Sequence, residues 1–168
     1  EGETQVQLEA LITSEAVADR VKILPPVPYA DLLNWTASAD IGLIIYSPDY
    51  SLNVRMCLPN KLFEYLMAGL PILASRLEAV SEVIRTYDVG QIVSSLTPED
   101  IGAAINAMCA DPEALAHMRC NALEVSQSEL CWEKVKSHLI HLYQDILERR
   151  STDSTTQKIA IDGGTHAV

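Results

Sequence analysis

Residues 58–75, "LPNKLFEYLMAGLPILAS", run from a Pro-Asn turn through a helix-like segment into an apolar stretch, with one carboxylate, Glu64, in the middle. Gly69 stands where a helix end needs a left-handed residue, and Pro71 cannot continue a helix. The segment therefore predicts a helix from about Asn60 to Ala68 and a strand over 71–75. Upstream, "IGLIIY" (41–46) is a continuous apolar run, the pattern of a strand buried on both faces. "VKIL" (21–24) reads as a short strand ended by "PPVP", and "QIVSS" after Gly90 reads as a fourth strand near 90–94. Helical spacing of apolar residues appears in 4–17, in "YADLLNWTASAD" and in "EAVSEVIRTY". Strands alternating with helices from 4 to 96 imply a Rossmann-like parallel α/β sheet.

The remaining third is predicted to be helical. Thr97 caps a segment with Pro98 at its first position and acids in its first turn. Asp111-Pro112 opens a second helix to about Ser126, and "WEKVKSHLIHLYQDILERR" forms an amphipathic third. From Ser151 onward the periodicity fades. The expected organisation is one domain over 1–148 and a disordered tail over 149–168.

Bulk composition narrows the functions available. Of 168 residues 48% are hydrophobic but only 5% aromatic, which favours aliphatic layers of helix and parallel strand. A formal net charge of −11 argues against a nucleic-acid partner, since phosphate-backbone binding needs clustered Lys and Arg. Cys57, Cys109, Cys120 and Cys131 show no C-x-x-C spacing and are expected to be reduced thiols. No apolar run is long enough for a membrane span. A cytoplasmic protein is expected, at most peripheral to a membrane.

In parallel α/β sheets ligands bind beyond the carboxyl ends of the strands. The loop 46–59 leaves the end of "IGLIIY" and feeds a helix N-terminus, where free N–H groups and the helix dipole favour an anion. Between Tyr50 and Phe63 there is no acid, yet Arg55 and Lys61 are both present. Glu64, one turn after Lys61, would offer a carboxylate suited to vicinal hydroxyls beside a cation suited to phosphate. Spacing alone leaves a second reading open, in which Glu64 is an ordinary helix residue paired with Lys61 for about 0.2–0.5 kcal/mol. Trp35 and Trp132 read as packing anchors. His117, His138 and His141 lack partners at metal-ligand spacing, and no Walker loop or Ser-His-Asp arrangement is present.

"PNKLFEYLMAGLPILAS", with "VKILPPVPYADLLNWTASADIGLIIY" before it and "YDVGQIV" after, resembles the C-terminal, donor-binding domain of GT-B glycosyltransferases, nearest to the retaining family 4 group. The resemblance implies a domain that binds a nucleotide-diphospho-sugar and passes the sugar to an acceptor: a glycan, a lipid-linked sugar or a small molecule. Glu64 would then accept hydrogen bonds from the ribose hydroxyls. Pro59, Asn60 and Lys61 would lie against the diphosphate and sugar, with Asn53 and Arg55 nearby. No cofactor or metal is implied. Many members carry a second glutamate eight residues before Glu64, where this chain has Met56; Asn53 or Asn60 is the candidate substitute.

The resemblance also implies a longer enzyme. The family's donor domain begins with two strands and a helix for which this chain has no counterpart, and "EGET" matches the turn after the second strand. By the strand order 3-2-1-4-5-6, those strands belong between "VKIL" and "IGLIIY", so a gap or an abnormal direct pairing is expected there. The N-terminal acceptor domain would be missing as well, and the chain alone is expected not to catalyse transfer. A GT-B-type nucleotide-sugar epimerase and a catalytically inactive α/β interaction module are the alternatives.

Overall fold

The computed structural model describes residues 2–162, with side chains described for residues 2–148. It divides into two compact units, residues 1–32 and the chain from residue 33 on.

The first unit carries helix α1 (Glu3–Ser14) and the start of α2 (Tyr29–Thr36). Residues 21–24, predicted as a strand, have no regular structure and join no ladder. A strand exists only through bonds to a neighbour, and Pro25 and Pro26 supply no N–H donors just beyond it. The direct pairing with "IGLIIY", one of the two arrangements expected for this segment, is not formed among the described residues.

The second unit is built on three parallel strands, not four: β1 (Gly42–Ile44), β2 (Ile72–Ala74) and β3 (Gly90–Ile92), in the order β1-β2-β3. Gly42 stands opposite Ile72 and Ile44 opposite Ala74, while Ile72 stands opposite Gly90. Between β1 and β2 run α3 (Leu52–Met56) and α4 (Asn60–Met67), and α5 (Glu78–Tyr87) joins β2 to β3. The loop expected over 47–59 thus contains a short helix, started by the Ser51 side chain accepting from the Val54 N–H at 3.2 Å. Ser51 is an ordinary N-cap, but a five-residue helix leaves little periodicity to read.

Alternation along the strands splits the core in two. Ile44, Ile72 and Ala74 face Leu62 and Leu66 of α4, Val80 and Ile84 of α5, and Ala122 and Val125 further on. Leu73 and Val93 face the other way, toward Met108 and Met118. Central β2 is wholly buried, whereas edge strand β1 is buried on the face of Gly42 and Ile44 and partly covered on the other, where Leu43 is 40% exposed and Ile41 and Ile45 pack against the second core. The two-face burial predicted for "IGLIIY" is thus met on one face and incomplete at Leu43 on the other.

Three helices complete the unit: α6 (Pro98–Cys109), α7 (Pro112–Ser128) and α8 (Trp132–Asp162). Thr97 and Asp111 cap α6 and α7 as their sequences predict. The helix of α8 continues through Asp162, across much of the stretch expected to be a disordered tail. That stretch holds no proline, and no glycine before Gly163. Residues 163–168 lie outside the described residues.

Candidate functional site at the end of the sheet

Helices antiparallel to the strands bring the start of α4 to the carboxyl edge of the sheet, beside the loop that leaves β1. Ser75, at the end of β2, ties that loop down. Its buried hydroxyl donates to the Tyr46 carbonyl at 2.6 Å and accepts from the Tyr46 N–H at 3.0 Å, while its own N–H reaches the Ile44 carbonyl. The Tyr46 ring is thereby held under the Lys61 ammonium, which lies 5.1 Å from the ring centroid. No local pattern around Ser75 reveals this role, because the pairing depends on strand register.

The start of α4 is open. No side chain caps it, and the Leu62 N–H takes the Pro59 carbonyl at 2.9 Å, which leaves the N–H groups of Asn60 and Lys61 without a backbone acceptor among the described residues. One turn on, Glu64 is half-buried and its carboxylate has no hydrogen bond or ion pair among the described residues. The pairing of Lys61 with Glu64 that spacing allowed is not formed, because Lys61 turns to Tyr46 instead.

Arg55, at the end of α3, pairs with Glu78 in the first turn of α5, and both side chains are about half exposed. The sequence placed Arg55 among the donor-binding candidates; the structure shows it already engaged by an acid 23 residues away in sequence. Asn53 and Asn60 are exposed and make no side-chain hydrogen bond among the described residues. Met56 is exposed beside them. An apolar cleft of about 380 Å³, lined by Ile45, Tyr46, Tyr50 and Val54, adjoins the Lys61–Tyr46 pair. The four cysteines are all free thiols, and among the described residues no three His, Cys, Asp or Glu side chains cluster as a metal site.

A second cleft, of about 350 Å³, opens between the C-terminal end of α5 and α7, at the opposite edge of the sheet. Asp88, Glu124 and Glu129 line it and no Lys or Arg does, so its charge is wrong for a diphosphate.

The family described as "Glycosyl transferases group 1" matches residues 1–111, about two thirds of the chain. The chain belongs to the group 1 glycosyl transferases. Among curated relatives, the D-inositol 3-phosphate glycosyltransferase of Acidothermus cellulolyticus is 25% identical over 154 residues, which is 92% of this chain and 32% of that protein. The enzyme of the same name from Geodermatophilus obscurus is 27% identical over 149 residues, 88% of this chain and 30% of its own. Among solved structures, sucrose-phosphate synthase from Thermosynechococcus elongatus superposes with a TM-score of 0.73 at 18% identity, over 88% of this chain and 35% of that one. WaaG, a glycosyltransferase involved in lipopolysaccharide biosynthesis, gives 0.58 at 17% identity, over 73% and 31%. These likenesses establish the fold as that of a GT-B C-terminal domain. The group 1 chain described here spans about a third of the length of the curated relatives it matches. Among its described residues no helix is long and apolar enough to cross a membrane.

Proposed function

We propose that this group 1 chain is the donor-binding part of a retaining glycosyltransferase. It would hold a nucleotide-diphospho-sugar whose sugar passes to an acceptor bound elsewhere in the longer enzyme. One observation carries the reading: Glu64 is a half-buried carboxylate without a partner among the described residues, one turn from an uncapped helix start. A partly accessible carboxylate whose acceptors are free, beside the carboxyl ends of parallel strands, is placed to take hydrogen bonds from a ligand. Two vicinal ribose hydroxyls would supply them. The free N–H groups of Asn60 and Lys61, with the Lys61 ammonium, would take the diphosphate. They would stabilise the charge that develops on it as the glycosidic bond breaks. Asn53 and Asn60 are placed to reach sugar hydroxyls where Met56 offers none. Arg55 would serve only after release from Glu78. The donor is a substrate, and the reading calls for no further cofactor.

The test uses the full-length enzyme and two ligands, a nucleoside diphosphate and its analogue lacking both ribose hydroxyls. Glu64→Gln keeps the side chain's shape but weakens it as an acceptor. Hydrogen bonds to a charged group contribute about 1.5–3 kcal/mol, so affinity for the ribonucleotide should fall about tenfold or more while the analogue is barely affected. Equal losses for the two ligands would refute ribose recognition by Glu64.

A further inference from the structure

Arg55 and Glu78 connect two helix starts that share one edge of the sheet. β2 ends at Ala74 and α5 begins at Glu78, so the first turn of α5 lies at the carboxyl edge, as the start of α4 does. Helix α3 lies against α5 and runs into α4 through Cys57, Leu58 and Pro59 alone. Val54 packs against the core and fixes this short helix, while the next side chain, Arg55, stays about half exposed. Glu78, exposed to a similar degree, takes its guanidinium. No residue between Tyr50 and Phe63 is an acid, so the carboxylate that meets Arg55 has to come from another connection of the sheet.

We propose that Glu78 is an internal competitor for the donor's diphosphate, holding Arg55 until the diphosphate takes the guanidinium over. The inference rests on the donor reading and names a control on that same site. A guanidinium fork matches two phosphate oxygens as well as two carboxylate oxygens, so one side chain can serve both partners in turn. An ion pair this exposed contributes little to stability, and less as salt rises, so the fold loses little when it opens. Glu78 also keeps a favourable place without Arg55, because an acid in the first turn of α5 is stabilised by the helix dipole. A diphosphate carries more charge than one carboxylate, and the start of α4 would hold it only a short connection away from α3. The exchange needs side-chain rotation alone, since Val54 keeps the backbone of α3 in place. Glu78 is thus a positioning residue: it acts on the ligand only through Arg55.

Uridine, guanosine and adenosine 5′-diphosphates, titrated calorimetrically into the full-length enzyme, supply the test, and the tightest of them is followed. Arg55→Gln should weaken it about tenfold, the loss expected for a charge-assisted contact. Glu78→Gln removes the competitor and should tighten binding by about two- to fivefold, the worth of an exposed ion pair. In the Arg55→Gln background Glu78→Gln should change nothing, because no guanidinium is left to release. A gain that persists there would mean plain repulsion between Glu78 and the ligand, and would overturn the exchange. Weaker binding in Glu78→Gln would overturn it too, by making the pair a support of the site. Both side chains are about half exposed, so the melting temperatures of the three variants should stay close to the wild type and affinity changes report on the site. Lys61→Ala separates the two readings. If it weakens binding while the Arg55 and Glu78 variants are silent, the donor reading stands and the exchange falls. If the wild type binds none of the three diphosphates, both fall.

Discussion

Gly90 and Gly102 show how one residue type answers to two different constraints. A Cβ at Gly90 would lie 1.9 Å from the Ile72 carbonyl oxygen, inside the backbone of the neighbouring strand. At Gly102, within α6, it would meet nothing within 4 Å. Gly90→Ala should therefore destabilise the fold by about 3 kcal/mol, at the upper end of overpacking costs. Gly102→Ala should stabilise it by about 0.5–1 kcal/mol through helix propensity. Chemical denaturation of the two variants measures both, and the same sign for each would refute the close approach of β3 to β2. Ser75 belongs with them. Ser75→Ala leaves the Tyr46 N–H without its partner, at a cost of about 1–3 kcal/mol. It also frees the ring that positions Lys61, so nucleoside diphosphate affinity should fall in parallel with stability. Unchanged affinity in a destabilised variant would separate the loop anchor from the site.

Helices α5 and α6 differ in how their hydroxyls are used. Ser81 of α5 is buried and its Oγ has no hydrogen-bond partner. Removing a buried hydroxyl that makes no bond relieves its desolvation, so Ser81→Ala should be neutral or stabilising by about 1 kcal/mol in a thermal melt. At the start of α6, the Ser95 and Thr97 hydroxyls both donate to the Asp100 carboxylate, at 2.6 and 3.0 Å. These bonds hold its carboxyl below the usual carboxylate range, the Ser95 bond contributing most. A depressed folded value means stability that is fully present above the unfolded value and is lost as pH falls through the folded one. Asp100→Asn should therefore flatten the acid limb of the stability profile below the ordinary carboxylate range and leave its dependence near neutrality unaltered. A denaturation series in pH reads this out, and an unchanged acid limb would show that the hydroxyl ring contributes nothing.

Among the described residues, apolar side chains are left exposed on α8 and β1, among other positions. Val135, Leu139, Tyr143 and Ile146 follow one another at helical spacing on α8, and each is more than 40% exposed. Leu43 is exposed on edge strand β1. Surfaces of this kind drive association when nothing covers them, and an edge strand offers unpaired backbone groups besides. The isolated 168-residue chain should therefore self-associate in sedimentation experiments, and Leu139→Glu with Ile146→Glu should lower the association. A monomeric wild-type chain with a cooperative melt would contradict the expectation.

Local chemistry made the helix ends and strand positions legible. Thr97-Pro98, Asp111-Pro112 and Gly69-x-Pro71 stop or start helices through the chain's own groups, and the apolar runs at 41–46 and 71–75 mark buried strands wherever they pair. The resemblance that centres on Glu64 pointed to the family, since it rests on residue identity and order. Pairing partners were a different matter. Residues 21–24 are as apolar as β1 but form no strand, because a ladder needs a neighbour that the segment does not itself contain. Lys61 meets Tyr46 and not Glu64, Arg55 meets Glu78, and Ser75 closes on Tyr46; each partner lies between 15 and 29 residues away. Contacts over such distances follow from strand register and helix crossing. Those are set when the whole sheet packs, and no window of sequence contains them.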